Sequence, residues 1–139
     1  MNDLKLFLVD DDAFYLNILK QHLLNIGCDN ISTFENGTDC LNQLQDKPDV
    51  IFLDYSMDTL SGVEVLNKIK RNNPNIFVVM ISAQGDIQPA VNSLKQGAFD
   101  YIEKGDDDQS KIKEVLQRIM DVRELLDSSK PSIFKRLFK

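Results

Sequence analysis

Apolar runs of strand length alternate with segments of helical period along this chain. The runs are residues 4–9, 30–34, 49–53, 76–81 and 99–102. Between and after them apolar residues recur every three or four positions: Leu16, Leu19, Leu23 and Ile26; Leu41 and Leu44; Val63, Leu66 and Ile69; Val91 and Leu94, read as the inner face of the fourth helix; then Ile112, Val115, Leu116, Ile119, Val122 and Leu126. Continuous apolar runs mark strands buried on both faces, and strand–helix alternation predicts βαβ units around a parallel sheet. Punctuation agrees with the periods. Asp12 is placed to cap the first helix and Gly27 to end it in the left-handed conformation. A second helix is predicted over 36–44. Pro48 and Pro74 precede the third and fourth strands and Gly62 lies before the third helix. Asp86 is read as the cap of the fourth helix, with Pro89 in its first turn and Gly97 at its end. The last helix is predicted over 108–126. These elements fill the chain to about residue 127, so a single domain is expected over 1–127, followed by a short segment, 128–139.

Four of the strands end on reactive groups. The first is followed by Asp10, Asp11 and Asp12, the third by Asp54, the fourth by Ser82 and the fifth by Lys104. Ligands of open α/β sheets bind outside the carboxyl ends of the strands. If these strands are neighbours, Asp10, Asp11, Asp54, Ser82 and Lys104 meet on one rim, a set that suits one cation and one phosphoryl group. Carboxylates about 4 Å apart repel by roughly 4 kcal/mol per pair at an effective dielectric near 20. Three acids together therefore call for a cation.

Composition narrows the class. At 139 residues the chain can bury a core without metal or disulfide staples. Cys28 and Cys40 have no metal-ligand spacing and read as helical core or boundary thiols, which fits a reducing cytosol. Residues 1–5 lack the basic start and apolar stretch of a signal peptide, and no run reaches membrane-spanning length, so a cytoplasmic protein is expected. The net charge is −6, and residues 128–139 hold Lys130, Lys135, Arg136 and Lys139 with no acid, which leaves −10 on the rest. An acidic body argues against direct nucleic-acid binding.

In this order the residues resemble the receiver domain of bacterial two-component response regulators, over residues 4–126. Val9-Asp10-Asp11 fits the acidic pair after the first strand, and Asp54 after residues 50–53 fits the phosphate-accepting aspartate. Met57, Leu60 and Gly62 fit the loop behind it. Ser82-Ala83 matches the hydroxyl and small residue after the fourth strand, Gly97-Ala98 the end of the fourth helix, and Tyr101 the aromatic three residues before Lys104. Each match is weak alone; all of them in order, at strand ends, are highly specific. Two positions depart from the pattern. Asp58 and Gly105 stand where proline is common, and a trans bond is expected before Gly105 because cis would cost about 2.5–4 kcal/mol.

The resemblance implies a flavodoxin-like fold, a five-stranded parallel sheet in the order 2-1-3-4-5 with helices on both faces. It implies Mg2+ bound by Asp11, Asp54 and the backbone carbonyl of Ser56, with Asp10 acting through water. It makes Asp54 the phosphoacceptor, served by Lys104 and Ser82, and Ser82 with Tyr101 the switch: Ser82 is drawn toward the phosphoryl group and Tyr101 turns into the space. The donor is then a histidine kinase or histidine phosphotransfer protein. The recipient is a downstream protein or an output domain, and a phosphorylation-dependent dimer is compatible with both. The protein would act on its own side chain and is not expected to turn over an external substrate. Ser56 and Gln84 occupy positions that tune the phosphoryl lifetime. Asp12 is expected to cap its helix rather than bind metal, and His22 to lie on the surface.

Three other functions fit less of the chain. An unphosphorylated docking version of the fold would be expected to lose Asp54, Lys104 or the acidic pair. A haloacid-dehalogenase-type hydrolase would use the Asp10–Asp12 spacing, with Asp10 as nucleophile, but leaves Asp54 unexplained. A flavodoxin needs a hydroxyl- and glycine-rich phosphate loop after the first strand, which is absent. In the final segment Ile133, Phe134, Leu137 and Phe138 share one helical face and Lys135, Arg136 and Lys139 the other. It reads as a short helix folded onto the acidic body, as a linker stub, or as a docking peptide for a partner or an anionic membrane.

Overall fold

The structure, a computed structural model, describes residues 1–83, 85 and 88–128. Its elements in order are β1 (Leu6–Val9), α1 (Ala13–Ile26), β2 (Ile31–Phe34), α2 (Gly37–Asn42), a 3-10 turn (Leu44–Asp46), β3 (Val50–Asp54), α3 (Gly62–Asn72), β4 (Phe77–Ser82), α4 (Gln88–Lys95), β5 (Asp100–Glu103) and α5 (Asp108–Ser128). All strand pairs are parallel, in the order β2-β1-β3-β4-β5. This is the flavodoxin-like fold the sequence implies.

Alternation along each strand divides the core in two. Leu6, Leu8, Val50, Phe52, Val79 and Ile81 point to one face, where they meet Leu16, Leu19 and Leu23 of α1 and Ile112, Leu116 and Ile119 of α5. Phe7, Val9, Ile51, Leu53, Val78 and Met80 point to the other, against Cys40 of α2 and Val65, Leu66 and Ile69 of α3. Because side chains alternate with a period of two, a strand sandwiched between helix layers must be apolar on both faces, and β1 and residues 50–53 of β3 are. Cys28 and Cys40 are both free and buried.

The helix ends follow local chemistry. Asp12 accepts from the backbone N–H groups of Phe14 and Tyr15, and Gly27 (φ 107°) closes α1 by donating to the Leu23 and Leu24 carbonyls. Ser61 and Glu64 form a reciprocal capping box on α3. A side chain at Gly62 would overlap the Asp54 carbonyl oxygen and come within 2.8 Å of Met80, so a residue without a Cβ lets α3 start directly behind the end of β3.

The expected inner face of α4 differs. Val91 and Leu94 of α4 are 37% and 51% exposed, while Pro89 and Ser93 are buried. The helix rests on its small residues, which turns its larger apolar ones outward. Leu126 is 59% exposed. A 21-residue helix is about 31 Å long and a six-residue strand about 20 Å, so the last turns of α5 outrun the sheet that buries Ile112 to Ile119. Gln84, Asp86 and the basic segment from residue 129 onward lie outside the described residues.

Candidate functional site

The strand order reverses between β1 and β3, whose outgoing connections leave toward opposite faces, and a crevice opens outside their carboxyl ends. Asp10 and Asp11 follow β1 and Asp54 ends β3. One oxygen from each of these carboxylates lies within 4.8 Å of the others. Asp10 and Asp54 are only 2% and 5% exposed, and Asp11 is open to solvent.

Lys104, the first residue after β5, reaches past the end of β4 to this group. Its Nζ donates to Asp10 Oδ2 at 3.1 Å and stands 3.8 Å from Asp54 Oδ1. Asp10 Oδ1 accepts from the Asp12 N–H at 2.9 Å, so both oxygens of Asp10 are engaged by the chain. Asp54 is more weakly held, and its chemistry shows it. Burial and the neighbouring Asp10 carboxylate push its carboxyl from the ordinary 3.8 up to about 7, against the pull of Lys104 and of a bond from the Ser56 backbone. A buried carboxylate that resists ionisation beside two others is a group short of positive charge. The oxygen-only donor set fits Mg2+, which takes one or two carboxylates and fills its remaining positions with water and phosphate oxygens.

Ser82 closes the rim at the end of β4. Its Oγ lies 2.8 Å from the Tyr101 hydroxyl and 3.3 Å from the Ala83 carbonyl oxygen. Tyr15 of α1 lies on the other side of Lys104, with its ring centroid 4.2 Å from Nζ. The Tyr15 hydroxyl donates to Asp108 Oδ2 at 2.9 Å, and Asp108 Oδ1 accepts from the Gly105 N–H at 2.8 Å. Burial and the bond to Asp108 hold the Tyr15 phenol well above its usual range, so it stays a proton donor.

The family model for the "Response regulator receiver domain" matches residues 6–123. The chain belongs to that family. Among curated relatives it is 37% identical over 99 residues to the DNA-binding transcriptional regulator NtrC of Escherichia coli, covering 70% of this chain and 21% of that protein. It therefore spans about a fifth of that regulator's length. It is 33% identical over 102 residues to the chemotaxis protein CheY of Listeria monocytogenes, covering 73% and 86%. Among solved structures, a response regulator receiver domain protein from Clostridium thermocellum superposes with a TM-score of 0.81 at 26% identity, over 88% of this chain and 98% of that one.

In this receiver the predicted rim residues do converge: Asp10, Asp11, Asp54 and Lys104 form one cluster, and Ser82 at the end of β4 forms a hydrogen-bonded pair with Tyr101 of the neighbouring β5. Asp12 caps α1, as expected, and stays out of the cluster. His22 meets Gln109 of α5, with 3.1 Å between Nδ1 and Oε1. No peptide bond among the described residues is cis. Sequence reasoning missed Tyr15 and Asp108. Tyr15 did carry a signal, since it precedes Leu19 and Leu23 by four and eight positions on the inward stripe of α1. Asp108 carried none that sets it apart from Asp106 and Asp107. No helix among the described residues is long and apolar enough to cross a membrane.

Proposed function

We propose that Asp54 accepts a phosphoryl group from a phosphohistidine on a sensor kinase or phosphotransfer protein, and that the modified receiver signals through α4, β5 and α5. An oxygen of Asp54 attacks phosphorus, the P–N bond to the donor imidazole breaks, and the imidazole nitrogen keeps the electron pair. Water later cleaves the acyl phosphate, returning the carboxylate and inorganic phosphate. The protein is modified by this cycle rather than converting an external substrate.

Phosphoryl transfer depends on positioning and charge stabilisation more than on covalent chemistry, and the side chains divide that task. Asp54 supplies the nucleophilic oxygen. Lys104, already between Asp10 and Asp54, offers its ammonium to a phosphoryl oxygen. The Ser82 hydroxyl donates to another. Asp10, Asp11, Asp54 and the Ser56 carbonyl would hold Mg2+, which when bound offsets the negative charge that donor and acceptor bring together. Ser82 has one proton to give, and its oxygen can still accept from Tyr101, so donation to the phosphoryl group moves Oγ and the Tyr101 contact must follow or break. That coupled movement is the switch. The output is read by a protein partner or an output domain, since the acidic body repels polyanions.

The observation that carries this reading is the meeting of Asp54 with two further carboxylates and one ammonium at the sheet's switch point. The test is intact mass after incubation with acetyl phosphate and Mg2+. One phosphoryl adduct is expected on the parent and none on Asp54→Asn; an adduct that survives the substitution, or none on the parent, rejects the reading.

A further inference from the structure

Gly105 gives the chain after Lys104 a residue with little conformational preference of its own, in a loop that must aim an ammonium at Asp54. Its N–H is bound by Asp108, and the other oxygen of that carboxylate is bound by Tyr15. Asp108 and Tyr15 are both buried. The Tyr15 ring in turn faces the Lys104 ammonium at 4.2 Å. The contacts thus run in a circuit, from the backbone just after Lys104, through one buried carboxylate and one phenol, back to the tip of the Lys104 side chain. α1, the β5–α5 loop and the first residue of α5 each contribute one member. A proline at 105 could not make the first link, for lack of an N–H. A phenylalanine at 15 would keep the ring and lose the tether.

We propose that Tyr15 and Asp108 are positioning residues for Lys104: Asp108 ties the loop at Gly105 to the Tyr15 hydroxyl, and the Tyr15 ring holds the ammonium over the acceptor. The proposal deepens the reading of Asp54 as phosphoacceptor and rests on it for the rate effect, but not for the geometry. The ring attracts the cation through its negative face. A flexible, strongly hydrated lysine is thereby kept on the side of the rim where Asp10 and Asp54 can be reached. Asp108 acts only through its partners and touches no reacting atom.

The experiment compares Tyr15→Phe, Tyr15→Leu and Asp108→Asn, each with Lys104 intact and in a Lys104→Ala background. It reads the initial rate of acetyl-phosphate labelling at saturating Mg2+, together with the melting temperature. With Lys104 present, Tyr15→Leu should slow labelling roughly five- to thirtyfold, the range of a partly desolvated cation–aromatic contact. Tyr15→Phe and Asp108→Asn should slow it less. In the Lys104→Ala background none of the three should slow it further, although their effect on melting temperature should remain. Equal slowing in both backgrounds would mean a role in the fold alone and would overturn the proposal. A second readout needs no phosphorylation. Ring current from Tyr15 should shift the Lys104 side-chain methylene protons upfield in NMR spectra, partly relaxed in Tyr15→Phe and lost in Tyr15→Leu. Unshifted Lys104 protons in the parent overturn the placement. A parent that shows the shift but takes no adduct refutes the acceptor reading while leaving the positioning geometry supported.

Discussion

The hydroxyl oxygens of Ser82, the last residue of β4, and Tyr101 of the neighbouring β5 stand 2.8 Å apart, 19 residues apart in the chain. One belongs to the rim of the acid cluster and the other to the face formed by α4, β5 and α5. The bond therefore connects the rim directly to that face. The sequence suggested that Tyr101 turns inward once Ser82 moves. With the two hydroxyls already in contact, movement of Ser82 toward a phosphoryl group would act directly on the Tyr101 hydroxyl.

Tyr101→Phe isolates that event, because it removes one hydroxyl and keeps the ring. The variant should still take the adduct on Asp54. Amide-exchange protection along α4 and β5 should respond less to phosphorylation than in the parent, since the contact that passes on the movement of Ser82 is gone. An unchanged response would show that the hydroxyl pair does not carry the signal.

The raised carboxyl of Asp54 fixes the sign of a pH effect on stability. The folded chain holds this proton up to about pH 7, whereas an unfolded aspartate loses it near 3.8. Unfolding in that window releases a proton, so the group's contribution is complete below about pH 4 and is lost as the pH rises through 7. In metal-free buffer, Asp54→Asn should gain stability over the parent between pH 4 and 7. Denaturation midpoints that shift in parallel for the two proteins across the window would mean that burial beside Asp10 does not govern the group.

Magnesium should reverse that penalty. At about a hundred times its dissociation constant, a cation bound only to the folded state adds roughly 2.7 kcal/mol. Asp11→Ala removes the solvent-facing carboxylate of the cluster, so the magnesium gain should largely vanish, and metal-free stability should rise as repulsion within the cluster falls. Thermal melts with and without Mg2+ measure both. The same magnesium shift in parent and variant would place the cation elsewhere.

The fold was legible because its causes are local. β1 and residues 50–53 of β3 are apolar at every position since both faces are covered, and Asp12 and Gly27 mark the ends of α1 by chemistry that acts within four residues. The rim was legible because strand ends in a parallel sheet lie side by side, so Asp10, Asp54 and Lys104 needed only the strand order. Hydrophobicity alone misplaced the inner face of α4, where small Pro89 and Ser93 permit close approach and Val91 and Leu94 turn outward. Leu126 keeps the helical spacing and is nonetheless exposed, because periodicity continues along α5 after the sheet has ended. The Tyr15–Asp108 bond joins residues 93 apart in the chain. No spacing within either helix announces such a contact; it exists only once α1 and α5 lie on the same face.

The most direct measurement concerns the bond formed at Asp54. Borohydride reduces an aspartyl phosphate to homoserine, and peptide mapping by tandem mass spectrometry then locates it. After labelling with acetyl phosphate and Mg2+, homoserine is expected at position 54 alone. Homoserine at position 10, the nucleophile of a dehalogenase-type mechanism, or no homoserine in a labelled protein, would contradict the account.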